Sequence, residues 1–168
     1  MGLNWEELSL QFITTILGVA LGMLGALWVD RRISAGRRRE EETYLLRVVK
    51  DNLLHNRSLL SQIKSELQRG LIPTYHLDLS AWQSHSGRFD PIRNTDLVQL
   101  IGKAYYELEH MNWKINTLRN MRFTTFVAVE SYEQDKKQLI ANIAIHMPIV
   151  IGEVEESLRL IDKTLEER

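Results

Sequence analysis

The chain has no cysteine. That absence excludes disulfides, thiol nucleophiles and thiolate metal sites, and it fits a reducing compartment. Only three prolines and nine glycines occur in 168 residues, too few for long disordered linkers and suited to a helical protein. No Gly-x-Ser-x-Gly and no glycine-rich phosphate loop is present, which removes the nucleophile elbow and the P-loop. An excess of charge of one sign is missing as well. The net charge is −1, so nothing draws the whole chain toward nucleic acid or an anionic surface.

Charge is instead placed locally. Arg31, Arg32, Arg37, Arg38 and Arg39 crowd one short stretch, and from Glu40 onward acidic side chains slightly outnumber basic ones. Just before the cluster, Leu8 to Val29 carries no charge at all. At about 1.5 Å per residue this run reaches roughly 33 Å, against a hydrocarbon core of about 30 Å. Trp5 and Trp28 bracket it, where indoles favour the headgroup region. A secretory signal would place its basic residues before the apolar run, and here Glu6 and Glu7 come first. Glu6 also stands where a myristoylation site needs Ser or Thr. The pattern predicts a transmembrane helix over 8–29, preceded by a short extracytoplasmic segment 1–7 and followed by a basic juxtamembrane segment 30–39. By the positive-inside rule, 40–168 is cytoplasmic in a single-pass cell-membrane protein.

Within the run, Gly18, Gly22 and Ala26 repeat at four-residue spacing, with Gly25 beside them. Small residues on one face let a second helix approach closely in lipid, so homo-oligomerisation is expected there. The five arginines set topology and offer contacts to anionic membrane lipid.

Three later stretches carry apolar residues at alternating three- and four-residue spacing. They are Leu46, Val49, Leu53, Asn56, Leu60, Ile63, Leu67; then Leu97, Ile101, Ala104, Leu108, Met111, Ile115, Leu118; then Ile140, Ala144, Met147, Ile151, Val154, Leu158, Ile161, Leu165. Leu45, Leu59, Val98, Tyr105 and Ile143 widen the stripes. The fold class is therefore all-α: an N-terminal transmembrane helix, then an antiparallel bundle of three long helices. Gly70, with Pro73 beyond, ends the first helix. Asn94, Thr95 or Asp96 can cap the second. The long connection Leu71 to Arg93 should hold a short crossover helix over 78–85, ended near Gly87. Phe123 to Val129 is ambiguous, Pro148 should kink or restart the last helix, and Gly36 can bend the first.

Candidate chemistry is sparse. Glu107 and His110 form a Glu-x-x-His pair, but a carboxylate-bridged di-metal bundle needs a second such pair and two more glutamates. None exists in the sequence, so no metal or other cofactor and no enzymatic activity is expected. Tyr75, His76, Asp78, Trp82 and His85 cluster in the crossover, either capping the bundle or forming a ligand site. Asn56 interrupts an apolar seam, either fixing register and oligomer state or bonding a neighbouring loop. On the first alternative, Asn56→Leu would strengthen the bundle. The function expected is a scaffold, sensor or regulator acting through protein–protein contacts with a cytoplasmic partner, and not through nucleic acid. An oligomeric membrane effector or pore, suggested by Gln11, Thr14 and Thr15, is the alternative, and an enzyme of unrecognised type stands third.

Overall fold

The computed structural model describes residues 5–89, 95–121 and 129–167, with side chains from residue 14 in the first segment and from 131 in the last. Among the described residues every regular element is helical. Helix α1 runs Trp5–Gln68, α2 Ser80–His85, α3 Thr95–Asn120 and α4 Val129–Glu166, and a 3-10 turn Ser86–Arg88 follows α2. The chain divides into two compact units, Met1–Glu41 and Glu42–Arg168.

In the first unit α1 passes through Gly36 as helix, with no interruption there. From Thr14 to Glu41 each described side chain is exposed. A Cβ added to Gly18, Gly22 or Gly25 would meet nothing within 4 Å. Among the described residues, no helix is long and apolar enough to cross a membrane. Thr14 to Val29 is shorter than the ~20 residues a span requires. Trp5 and Leu8 to Ile13, which would extend it, lie outside the residues whose side chains are described. The described part of α1 therefore does not support the transmembrane helix.

The second unit is a helical bundle with one core. The first two sequence seams are its inner faces. Leu46, Val49, Leu53, Asn56, Leu60 and Ile63 of α1 are buried, as are Leu97, Ile101, Ala104, Leu108, Met111, Ile115 and Leu118 of α3. The third seam is matched in part. Its Met147, Val154, Leu158 and Ile161 are buried, Ile140, Ile151 and Leu165 are partly buried, and Ala144 is exposed, while Ile143 and Val150 complete the inner face. The two stripes share most of their residues, so periodicity alone does not separate them, and at one position the bulk of Ile143 fills the core better than Ala144 would.

Helix α1 ends at Gly70, whose φ of +73° is left-handed. The Gly70 N–H bonds the Leu67 carbonyl at 3.0 Å and the Leu71 N–H bonds Glu66 at 2.9 Å. This is the Schellman arrangement that glycine permits at low cost. Helix α3 begins at Thr95, within the expected start, while Asn94 and residues 122–128 lie outside the described residues. Helix α4 continues through Pro148 undivided. Proline removes one donor, which leaves the Ala144 carbonyl without its intrahelical partner. Both residues are exposed, so water can serve that carbonyl.

Directions follow from successive side-chain pairs. Ser157 bonds Leu100, Lys103 pairs with Glu153 at 2.6 Å, and His146 with Glu107 at 2.6 Å, so α3 and α4 run antiparallel. On the other side Tyr105 reaches Asn52, while Asn112 and Asn56 grip the adjacent residues Leu77 and Asp78. The bundle half of α1 and α3 are therefore parallel. This corrects the all-antiparallel order expected from sequence. The long connection is the reason, because it climbs the bundle as a separate element and returns the chain to the level where α1 entered.

Candidate functional site

A connection that climbs through a bundle carries backbone groups into the core, where each needs a partner. Leu77 is fully buried. Its N–H donates to Asn112 Oδ1 at 2.8 Å, and Asn112 Nδ2 donates back to its carbonyl at 2.8 Å. The next residue turns the other way. The Asp78 N–H donates to Asn56 Oδ1 at 2.7 Å, and Asn56 Nδ2 donates to the Asp78 carbonyl at 2.7 Å. Adjacent residues of a strand alternate in this manner between two neighbours. Here one asparagine from α1 and one from α3 stand in for the neighbouring strands. Primary amides suit the task because each offers a donor and an acceptor side by side.

The Asp78 side chain extends the network. Asn52 Nδ2 donates to Oδ2 at 2.7 Å, the Ser80 N–H to Oδ1 at 2.9 Å, and Tyr105 Oη to Asn52 Oδ1 at 2.8 Å. The Ser80 N–H and then the Ser80 hydroxyl do most to hold the Asp78 carboxyl below its ordinary 3.8, with Asn52 adding to them while burial opposes. Burial, and secondarily the Asp78 charge, push the Tyr105 phenol well above its usual range, so it remains a donor.

The aromatic part of the crossover is packed. Trp82 stacks on Tyr105 with ring centroids 5.6 Å apart and on Phe89 at 6.0 Å. Gly102 makes this possible, since a Cβ there would lie 3.3 Å from Trp82 Cζ2. Tyr75 is half-buried against the core, and His76 Nδ1 lies 2.9 Å from the Leu77 carbonyl oxygen. His85 is half-buried, and its Nδ1 finds no hydrogen-bond partner among the described residues. The five crossover residues thus belong to one structured connection. Asp78 and Trp82 join the α1–α3 network, while His76 sits at its edge.

A second cluster lies between α3 and α4. His146 Nε2 is 2.6 Å from Glu107 Oε2, and Lys114 Nζ is 3.1 Å from His146 Nδ1. An ammonium only donates, so Nδ1 accepts and the ring hydrogen sits on Nε2, given to Glu107. His110 faces the same point, its ring edge-on to His146 with centroids 5.1 Å apart. Glu107 and His146 are half-buried, and His110 is exposed between Tyr106 and Trp113.

Asn52, Asn112, Lys114 and His146 are not singled out by the sequence. Asn112 stands four residues after Leu108 and three before Ile115, the same face spacing that exposed Asn56, so a signal was present. His146 had none, because only the α3–α4 pairing brings it to Glu107. The arginines from Arg31 to Arg39 and Trp28 stand exposed on the first unit, where Arg32 Cζ lies 5.3 Å from the Trp28 ring centroid. Gly18, Gly22, Gly25 and Ala26 are exposed on the same unit.

Asn56→Leu should lower unfolding free energy by roughly 2–6 kcal/mol, because it strands the N–H and C=O of Asp78 at about 1–3 kcal/mol each. Chemical denaturation monitored by circular dichroism measures this, and equal or higher stability would exclude the clamp. Asp78 should make stability pH-dependent. A lowered carboxyl contributes fully above its unfolded value near 3.8, and the contribution is lost as pH falls through the folded value. Asp78→Asn should therefore flatten the decline in stability below about pH 4. An unchanged slope in denaturation midpoints across that range would contradict the assignment.

Compared with models of known families, with curated proteins and with solved structures, the chain finds no match.

Proposed function

We propose that the chain is a membrane-anchored helical interaction module, with the anchor in the N-terminal part of α1 and the bundle Glu42–Arg168 on the cytoplasmic side. One observation carries the reading. Ile16, Leu17, Val19, Leu21, Met23, Leu24, Leu27, Trp28 and Val29 are each 48 to 67 % exposed. At 3.6 residues per turn they occupy every side of the helix. A helix in water keeps a polar face, and one apolar all round is covered by protein or by lipid. The uncharged sequence continues back to Leu8, which brings the run to spanning length. The arginines beyond it suit an anionic cytoplasmic leaflet.

The bundle acts in this reading as a scaffold, sensor or regulator and not as an enzyme. Its polar network ties backbone and side chains to one another. Its outward features are large apolar side chains: Tyr106 and Trp113 on α3, and Ile145 and Ile149 on α4. Such groups on a soluble bundle mark a protein contact. Self-association is assigned to the Gly18, Gly22 and Ala26 face, where close backbone approach gives dispersion contacts that lipid does not replace.

A reporter fused after Arg168 should be active only if it functions in the cytoplasm. Activity of a reporter that requires export would overturn the orientation, and release of the chain from membranes by alkaline carbonate would overturn the anchor. Gly22→Ile should weaken association in a membrane two-hybrid assay, since a large side chain separates the backbones. An undiminished signal would remove the glycine face from the proposal.

A further inference from the structure

The cluster between α3 and α4 has the composition of a metal site. Glu107 and His110 are three residues apart on α3 and share a face. His146 reaches the same point from α4. One carboxylate oxygen and one nitrogen of each ring lie within 4.8 Å of one another. Donors about 2.0–2.2 Å from a tetrahedral ion sit roughly 3.3–3.5 Å apart. Small rotations of three side chains close that difference. Their backbones need not move, and the buried neighbours Leu108, Met111, Ile143 and Met147 hold them. A site built on packed helices is more exact than one built on loops.

We propose that Glu107, His110 and His146 form a three-ligand site for a divalent transition ion, Zn2+ by the chemistry of the donors. Two imidazoles and a carboxylate are a zinc ligand set. The exposed side of His110 leaves the remaining coordination position toward solvent.

Lys114 gives the site a property that an incidental histidine pair lacks. The hydrogen now shared between His146 Nε2 and Glu107 occupies the place of the ion. On binding, that hydrogen leaves Nε2 and the ring carries its hydrogen on Nδ1, the reverse tautomer. Nδ1 is where the Lys114 ammonium donates at 3.1 Å, and two donors cannot face each other. Lys114 must swing away, and its charge repels the incoming cation. Lys114 is therefore a built-in competitor, and its removal should tighten binding.

The experiment uses the full chain in detergent, without an oligohistidine tag. Co2+ serves as probe, followed by visible d–d absorption and displaced by Zn2+. Wild type should bind one Co2+ per chain with the intense bands of a four-coordinate ion. Either His146→Ala or Glu107→Gln should weaken binding at least about tenfold. Lys114→Met should tighten it by roughly tenfold, the effect of removing one nearby positive charge. Zn2+ should also raise the thermal midpoint of wild type and not of His146→Ala, because an ion bound only to the folded state stabilises it. Circular dichroism verifies that each variant is folded, and a gain of affinity in Lys114→Met cannot arise from misfolding. A wild-type spectrum of hydrated Co2+ only, equal affinity in His146→Ala, or no gain in Lys114→Met would each overturn the site.

Discussion

Two asparagines hold a buried backbone, and the rest of the bundle is arranged around them. A helix satisfies its own peptide groups, so helices pack freely. The segment approaching α2 is not helical, yet Leu77 lies wholly inside. An unpaired buried peptide group costs about 1–3 kcal/mol. Four such groups on Leu77 and Asp78 would consume much of a typical stability of roughly 5–15 kcal/mol. Asn56 and Asn112 pair all four. Asn56 and Asn112 therefore stand at one level of the bundle, since both must present an amide to adjacent residues of one passing chain.

Ion pairs play a smaller part. Lys50 with Asp162 and Lys103 with Glu153 connect α4 to its neighbours, each at 2.6 Å. The Glu153 carboxylate, first by hydrogen bond and then by charge, raises the Lys103 ammonium, but that lysine is exposed. Pairs of this kind are screened by water and contribute little to stability. They select the register of α4, while the apolar seams supply the driving force.

Much of this was legible in the sequence. Burial along α1 and α3 follows the three- and four-residue spacing, with Leu67 at the end of α1 only partly buried, because one face of a regular helix is all a core needs. Gly70 was readable as a stop, since left-handed geometry singles out glycine. The short helix before Gly87 was readable from its flanks. The inner face of α4 was legible at Met147, Val154, Leu158 and Ile161 and not at Val150, because its neighbour Ile151 is equally apolar. Helix direction was illegible for a different reason. Short loops imply antiparallel neighbours, and nothing in the sequence announces that residues 71–89 pack as a layer of the bundle. Asn56 was noticed as a polar residue in a seam, but its partner is backbone, which leaves no trace in side-chain type. The Glu107–His146 pair depends on a contact across 39 positions that no local spacing encodes.

The crossover also changes how the bundle opens. Amide hydrogens in a connecting segment ordinarily exchange with solvent through small local fluctuations. Those of Leu77 and Asp78 are locked by side chains from two different helices. Neither is released unless α1 or α3 shifts, so their exchange is governed by the same opening that exposes the core. A segment with the backbone of a loop thus shares the cooperative unit of the helices. The fluctuations of this connection report on the integrity of the whole bundle rather than on the freedom of its own chain.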